Sequence, residues 1–156
     1  PPPVAPPDIS GVQPTMIGHP SDASKGNLIS GNQGFGVDIS GERTVKVTVA
    51  NNLIGTNAAG DGAIPNGQTG VRIIGNAWAN TIGPGNVISG NANPVADGIR
   101  IDGKVWEPNV VKGNVIGPAK DLSANLGSWR TGIVVDSTSS SNCSAACSPS
   151  PCRGCR

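Results

Sequence analysis

Two arginines and two tryptophans recur at matched positions and are the side chains of this chain best placed to hold a ligand. Arg72 lies in Gly70-Val71-Arg72-Ile73, and Arg100 in Gly98-Ile99-Arg100-Ile101. Trp78 follows Ile73 by five residues, and Trp106 follows Ile101 by five. If the two segments stack, equal spacing predicts Arg72 beside Arg100 and one indole over the other. Two guanidinium forks side by side suit an anionic ligand such as a uronate, because each planar fork donates paired hydrogen bonds to a carboxylate. They equally suit a surface ion network, with Asp38 paired to Arg72 and Asp102 to Arg100, since like charges in register on a sheet are unfavourable. Paired indoles either pack on one another or offer a platform for the C–H faces of sugar rings. Arg72, Arg100, Asp102, Trp78 and Trp106 are therefore the candidate binding residues.

Catalytic sets are sparse by comparison. His19 is the only histidine and sits in an N-terminal loop without a Ser or Cys partner in view, which argues against a His-based triad. Asp97 and Asp102 lie five residues apart on opposite strand parities, a spacing that neither shows nor excludes a converging glycosidase pair. Trp129, Arg130, Asp121 and Asp61 occupy two long loops, 55–69 and 117–131, that project from the same side with room for a cleft between them. There is no phosphate-binding, dinucleotide-binding or repeated calcium-binding motif, and no cofactor or metal is expected. The net charge of +1, without a run of Lys or Arg, gives no electrostatic case for nucleic acid or an anionic membrane. No apolar stretch approaches the roughly 20 residues of a membrane span.

The elements that must position these side chains follow from an internal repeat. Asn52-Leu53-Ile54-Gly55 is answered by Asn114-Val115-Ile116-Gly117, and Gly70-Val71-Arg72-Ile73 by Gly132-Ile133-Val134-Val135, both at an offset of 62 residues. Three short strand types recur in order. The first is Gly-apolar-x-apolar, with Val37/Ile39, Val71/Ile73, Ile99/Ile101 and Ile133/Val135. The second is an apolar pair after a polar loop: Met16-Ile17, Val47/Val49, Thr81-Ile82 and Val110-Val111. The third begins at Asn27, Asn52, Asn86 or Asn114. Period-2 alternation marks strands with one buried face, and self-similarity at fixed spacing marks units that bury that face only by stacking. Asp8-Ile9-Ser10-Gly11 echoes Asp38-Ile39-Ser40-Gly41 one coil earlier. With 23 Gly, 14 Pro, one Phe and no Tyr, the interior must be narrow and refilled in every layer. The turn asparagines, with Asn32 and Asn91, are expected to tolerate left-handed corners and to bond from coil to coil.

The phrases Asn27-Leu28-Ile29-Ser30-Gly31-Asn32, Asn86-Val87-Ile88-Ser89-Gly90-Asn91 and Asp97-Gly98-Ile99-Arg100-Ile101 resemble repeats of right-handed parallel β-helices of the pectate-lyase-like kind. The resemblance covers roughly 8–136 and implies an all-β, three-strand solenoid of about four coils. It also implies an extracellular or cell-surface setting, as in bacterial secreted β-helices. A Pro-rich segment (1–7) precedes the solenoid, and a Ser/Pro/Cys-rich tail (137–156) follows it. All four cysteines, Cys143, Cys147, Cys152 and Cys155, lie in that tail. They suit two disulfides capping the last coil in an oxidising compartment, a zinc knuckle, or an unstructured tail. The scaffold serves lyases, hydrolases, adhesins and spacers alike. Three functions therefore stand side by side: a structural or carbohydrate-contacting module without catalysis, a polysaccharide lyase or hydrolase, and an end-to-end self-associating fibre unit.

Overall fold

The computed structural model describes residues 5–91, 94–103, 105–127 and 130–136, with the backbone alone of 143–144. Strands β1 (Thr15–Gly18) and β2 (Leu28–Ile29) come first, and the next three turns each repeat three strands in order. These are β3 (Val37–Ser40), β4 (Val47–Ala50) and β5 (Leu53–Ile54), then β6 (Val71–Ile74), β7 (Thr81–Ile82) and β8 (Val87–Ile88). The last are β9 (Ile99–Ile101), β10 (Val110–Val111), β11 (Val115–Ile116), β12 (Ile133–Val135) and β13 (Cys143–Ser144). Every pairing is parallel and joins a strand to its equivalent in the next turn. Three sheets result, β3-β6-β9-β12, β1-β4-β7-β10-β13 and β2-β5-β8-β11, forming a parallel β-solenoid of about four coils. One 3-10 turn, Ala23–Lys25, interrupts the β structure and is capped by Asp22, which accepts from the Ser24 amide.

The repeat motif has a steric cause. A Cβ added at Gly36, Gly70 or Gly98 would sit 2.5, 2.8 or 2.6 Å from the carbonyl oxygen of Gly70, Gly98 or Gly132 in the adjoining coil. Only glycine lets consecutive coils approach at the entrance to the first strand. Beyond it, Val37/Ile39, Val71/Ile73 and Ile99/Ile101 alternate inward and build one core with Val49, Ile54, Ile82, Ile88 and Val111. The register fixes steps of 34, 28 and 34 residues (Ile39 to Ile73 to Ile101 to Val135), so a short coil lies between long ones. Because the third turn of the short coil is brief, the long loops on either side close over it. Gly90 N–H donates to Gly127 C=O at 2.7 Å, and Lys120 N–H to Gly60 C=O at 2.8 Å.

Asparagine ladders, buried in the middle coils and open at the ends, tie the coils together. Asn27 Nδ2 donates to Asn52 Oδ1, Asn52 to Asn86, and Asn86 to Asn114, at 2.8–3.0 Å. None of these four has a positive φ; the left-handed corner is taken by the residue before, at Asn51, Gly85 and Gly113. The ladder amide, not corner geometry, is what requires Asn there. Asn32 and Asn91 share a second ladder but do not meet, because Asn66 lies between them and bonds to both. A third ladder joins Asn80 to Asn109 at 3.0 Å.

Other sequence expectations need correction as well. Residues 8–11 form a turn rather than a strand of an earlier coil; Lys46 Nζ holds its carbonyls at Ile9 and Val12. The repeat does not stop at Val135, since the Cys143–Ser144 backbone adds β13 beside β10. The cysteine side chains, including those of Cys147, Cys152 and Cys155, lie outside the described residues, and so does Trp129. Those that concern the tryptophans and the Arg100–Asp102 pair belong to the site.

Candidate functional site

On the outer face of the first-strand sheet the register brings Asp38, Arg72, Arg100 and Val134 into one row, as the spacing predicts. Arg72 closes on Asp38 as a fork, Nε to Oδ1 at 3.0 Å and Nη2 to Oδ2 at 2.7 Å, and its guanidinium lies 3.7 Å over the Phe35 ring. That is the ion network expected for this pair. Arg100 behaves differently: its Nη1 approaches Asp97 Oδ2 at 3.6 Å and its Nη2 approaches Asp136 Oδ2 at 3.9 Å. The expected pair with Asp102 gives way to these two, one from the turn before the strand and one from the next coil. Asp102 instead lines the same cleft.

That cleft, of about 270 Å³, is bounded by Phe35, Gln68, Thr69, Arg72, Ile74, Val95, Asp97, Arg100, Asp102 and Arg130. The sequence weighed Asp97 only as half of a carboxylate pair with Asp102, yet it is the most unusual group here. It is 1% exposed, and neither carboxylate oxygen has a hydrogen-bond partner. At 3.6 Å the Arg100 contact is one of charge rather than a hydrogen bond. Burial raises the Asp97 carboxyl above its ordinary range, against the opposing pull of Arg130 and Arg100. Its backbone is held in the coil by its own N–H, which donates to Thr69 Oγ1 at 3.3 Å. By the register of the first strands, Phe35, Thr69, Asp97 and Thr131 share one column, so the carboxylate replaces residues that need no charge. The signal available in sequence was that single acid in an otherwise uncharged column. Strand parity hid it, because Asp97 precedes the strand and is not bound by its alternation.

The indoles do not stack. Trp78 pairs with Val45, is 1% exposed, and donates its Nε1–H to the Glu42 carbonyl at 3.0 Å, so it offers no face to a ligand. Trp106 is 41% exposed and borders a separate cleft of about 300 Å³ with Glu42, Asn76 and Val105. The cause is a slip of one residue. Ile73 to Ile101 is a step of 28, but Thr81 to Val110 is a step of 29, so the turn between them holds one extra residue. Ala79 N–H accordingly donates to the Glu107 carbonyl, which places Trp106 against Ala77 rather than Trp78.

The two long loops meet expectation in part. Arg130 leaves the loop group to line the Asp97 cleft. Asp61 accepts from Asn57 Nδ2 at 2.8 Å, and Asp121 accepts from the Ser123 hydroxyl and amide, which hold its carboxyl below the ordinary range. Both border a shallow cleft of about 350 Å³ with Lys120. His19 does meet a serine, with Ser21 Oγ 3.3 Å from its Nδ1, but the contact closes a local exposed turn. Among the described residues no group of three or more His, Cys, Asp or Glu could hold a metal ion, and no helix is long and apolar enough to cross a membrane.

Fold and site together define a parallel β-solenoid with a mixed guanidinium–carboxylate cleft on its first-strand sheet. No protein-family model matches the chain, and neither a curated protein nor a solved structure matches it.

Proposed function

We propose that this chain is a β-solenoid module that contacts a polysaccharide along the outer face of its first-strand sheet and works outside the cell. The observation that carries the reading is the Asp97 cleft: a buried carboxylate with two unfilled acceptor oxygens, walled by guanidinium, amide and hydroxyl groups and by the apolar Phe35, Ile74 and Val95. A sugar ring presents the matching combination of polar edge and apolar face. Exposed Trp106, five residues past the end of β9, supplies a further stacking surface for a chain that runs on. Affinity gel electrophoresis on soluble polysaccharides tests this. Retardation of the wild type that is lost in Asp97→Thr and weakened in Trp106→Ala is expected; equal mobility of all three proteins in every gel sinks the reading.

The same cluster favours one alternative, a glycoside hydrolase. A carboxyl pushed up by burial is suited to donate a proton, and Asp102 and Asp136 lie nearby as further carboxyl groups. Release of reducing ends from a bound polysaccharide, abolished in Asp97→Asn, would select it over the non-catalytic module.

A further inference from the structure

Resting on the polysaccharide reading, we infer that the Asp97 cleft selects an uncharged, polyhydroxylated sugar ring, held through two neighbouring hydroxyl groups that donate to the two Asp97 oxygens. The starting point is an unmet need for donors. An ionised carboxylate only accepts hydrogen bonds, and both Asp97 oxygens are buried without one. Packing does not ask for the group, since the adjoining coils place Thr69 and Thr131 in the same column.

Charge then decides the class of ligand. Among the described residues the cleft and its flanks carry three guanidiniums (Arg72, Arg100, Arg130) and four carboxylates (Asp38, Asp97, Asp102, Asp136). The Arg72 fork is closed on Asp38, and Arg100 lies between Asp97 and Asp136. An incoming uronate would therefore compete with protein carboxylates for both forks and meet Asp97 as a like charge. An ammonium group drawn to Asp97 would meet Arg100 and Arg130 instead. A neutral hydroxyl donor suffers neither repulsion, and two adjacent hydroxyls present two donors side by side, the arrangement that two carboxylate oxygens accept.

Access also has a physical route. Arg100 is 31% exposed on a flexible stem, and its second nitrogen already faces Asp136. On this inference Arg100 swings from Asp97 toward Asp136 as the ring enters, releasing Asp97 Oδ2 without losing an ion pair. The sugar hydroxyls thus replace a long charge contact with hydrogen bonds, while Arg100 keeps a carboxylate partner throughout.

Isothermal titration of the full chain with hexasaccharides tests the inference. The probes are neutral (mannohexaose, cellohexaose, xylohexaose), acidic (hexagalacturonate) and basic (chitosan hexamer). At least one neutral probe should bind ten-fold or more tightly than the acidic and basic ones. Asp97→Thr should lower that affinity ten-fold or more while its melting temperature stays equal to or above the wild type's, which excludes misfolding as the cause. Tighter binding of hexagalacturonate or chitosan hexamer overturns the neutral-ring inference and leaves the polysaccharide reading intact. Undiminished binding by Asp97→Thr overturns the role of Asp97. No heat with any probe, together with unretarded gels, removes both.

Discussion

Replacing Asp97 by threonine should make the solenoid more stable at neutral pH. The side chain is 1% exposed and its carboxylate has no hydrogen bond, so folding strips it of water without full compensation. An unsatisfied buried polar group costs about 1–3 kcal/mol. Against that stand the partial attractions of Arg100 and Arg130, of which Arg100 is 31% exposed and 3.6 Å away, contributing about 0–1 kcal/mol. Threonine is the residue of the adjoining coils in this column and leaves the Asp97 backbone bond to Thr69 in place. The net gain is about 1–2 kcal/mol, or roughly 2–8 °C in melting temperature for a chain of this size. The pH dependence has a definite sign. The Asp97 pKa is raised in the folded state, so the native protein binds this proton more tightly than the unfolded chain does. The penalty is full above the folded pKa and fades as pH falls through it toward the unfolded value of 3.8. Asp8, Asp22 and Asp121, whose pKa values are lowered, make the opposite contribution, lost as pH falls, but they are common to both proteins and cancel in the difference. Melts followed by circular dichroism from pH 4 to pH 8 should show a gap between variant and wild type that is largest at pH 8 and narrows toward pH 4. A variant less stable than wild type at pH 7, or a gap that widens on acidification, would refute the reasoning.

The two tryptophans should separate cleanly in urea titrations: Trp78→Ala costs about 3–5 kcal/mol because it empties a buried site, whereas Trp106→Ala changes stability by less than about 0.5 kcal/mol. Ile73→Ala should cost about 2–5 kcal/mol, since a core refilled in every layer cannot collapse around the cavity; an unchanged unfolding midpoint would contradict the inward register of β6. Asn86→Leu should cost more than about 2 kcal/mol, because Asn86 accepts from the Asn52 backbone and side chain and donates to Val49 and Asn114; loss of amide-exchange protection at Asn52 and Val87 is the signature to look for.

The strands were legible because their signal is local and periodic. Gly-apolar-x-apolar carries both the close approach at Gly70 or Gly98 and the inward pair behind it, so spelling and packing coincide. The Arg72–Arg100 row followed from the same arithmetic. The failures lie in the turns, where spacing stops being informative. One residue more between Ile101 and Val110 than between Ile73 and Thr81 was enough to take exposed Trp106 out of register with buried Trp78, although both follow their strands by five. Asn66 was hidden within a long loop, so the Asn32–Asn91 ladder looked continuous without it. Asp97 was read by strand parity, although it lies in the turn ahead of β9 and its surroundings, not its spacing, make it unusual. Arg130 reaches that cleft from a neighbouring coil, a contact no single segment encodes.

The central claim is that a glycan sits on the first-strand sheet at Asp97. Amide chemical-shift mapping of isotope-labelled protein, titrated with the tightest-binding neutral hexasaccharide, tests it most directly. The account predicts saturable shifts centred on Gly70, Asp97, Gly98, Arg100 and Gly132, with a weaker second group near Trp106. Shifts confined to the 55–69 and 117–127 loops, or spread over the sheet containing β4 and β7 with the Asp97 cleft silent, would contradict it.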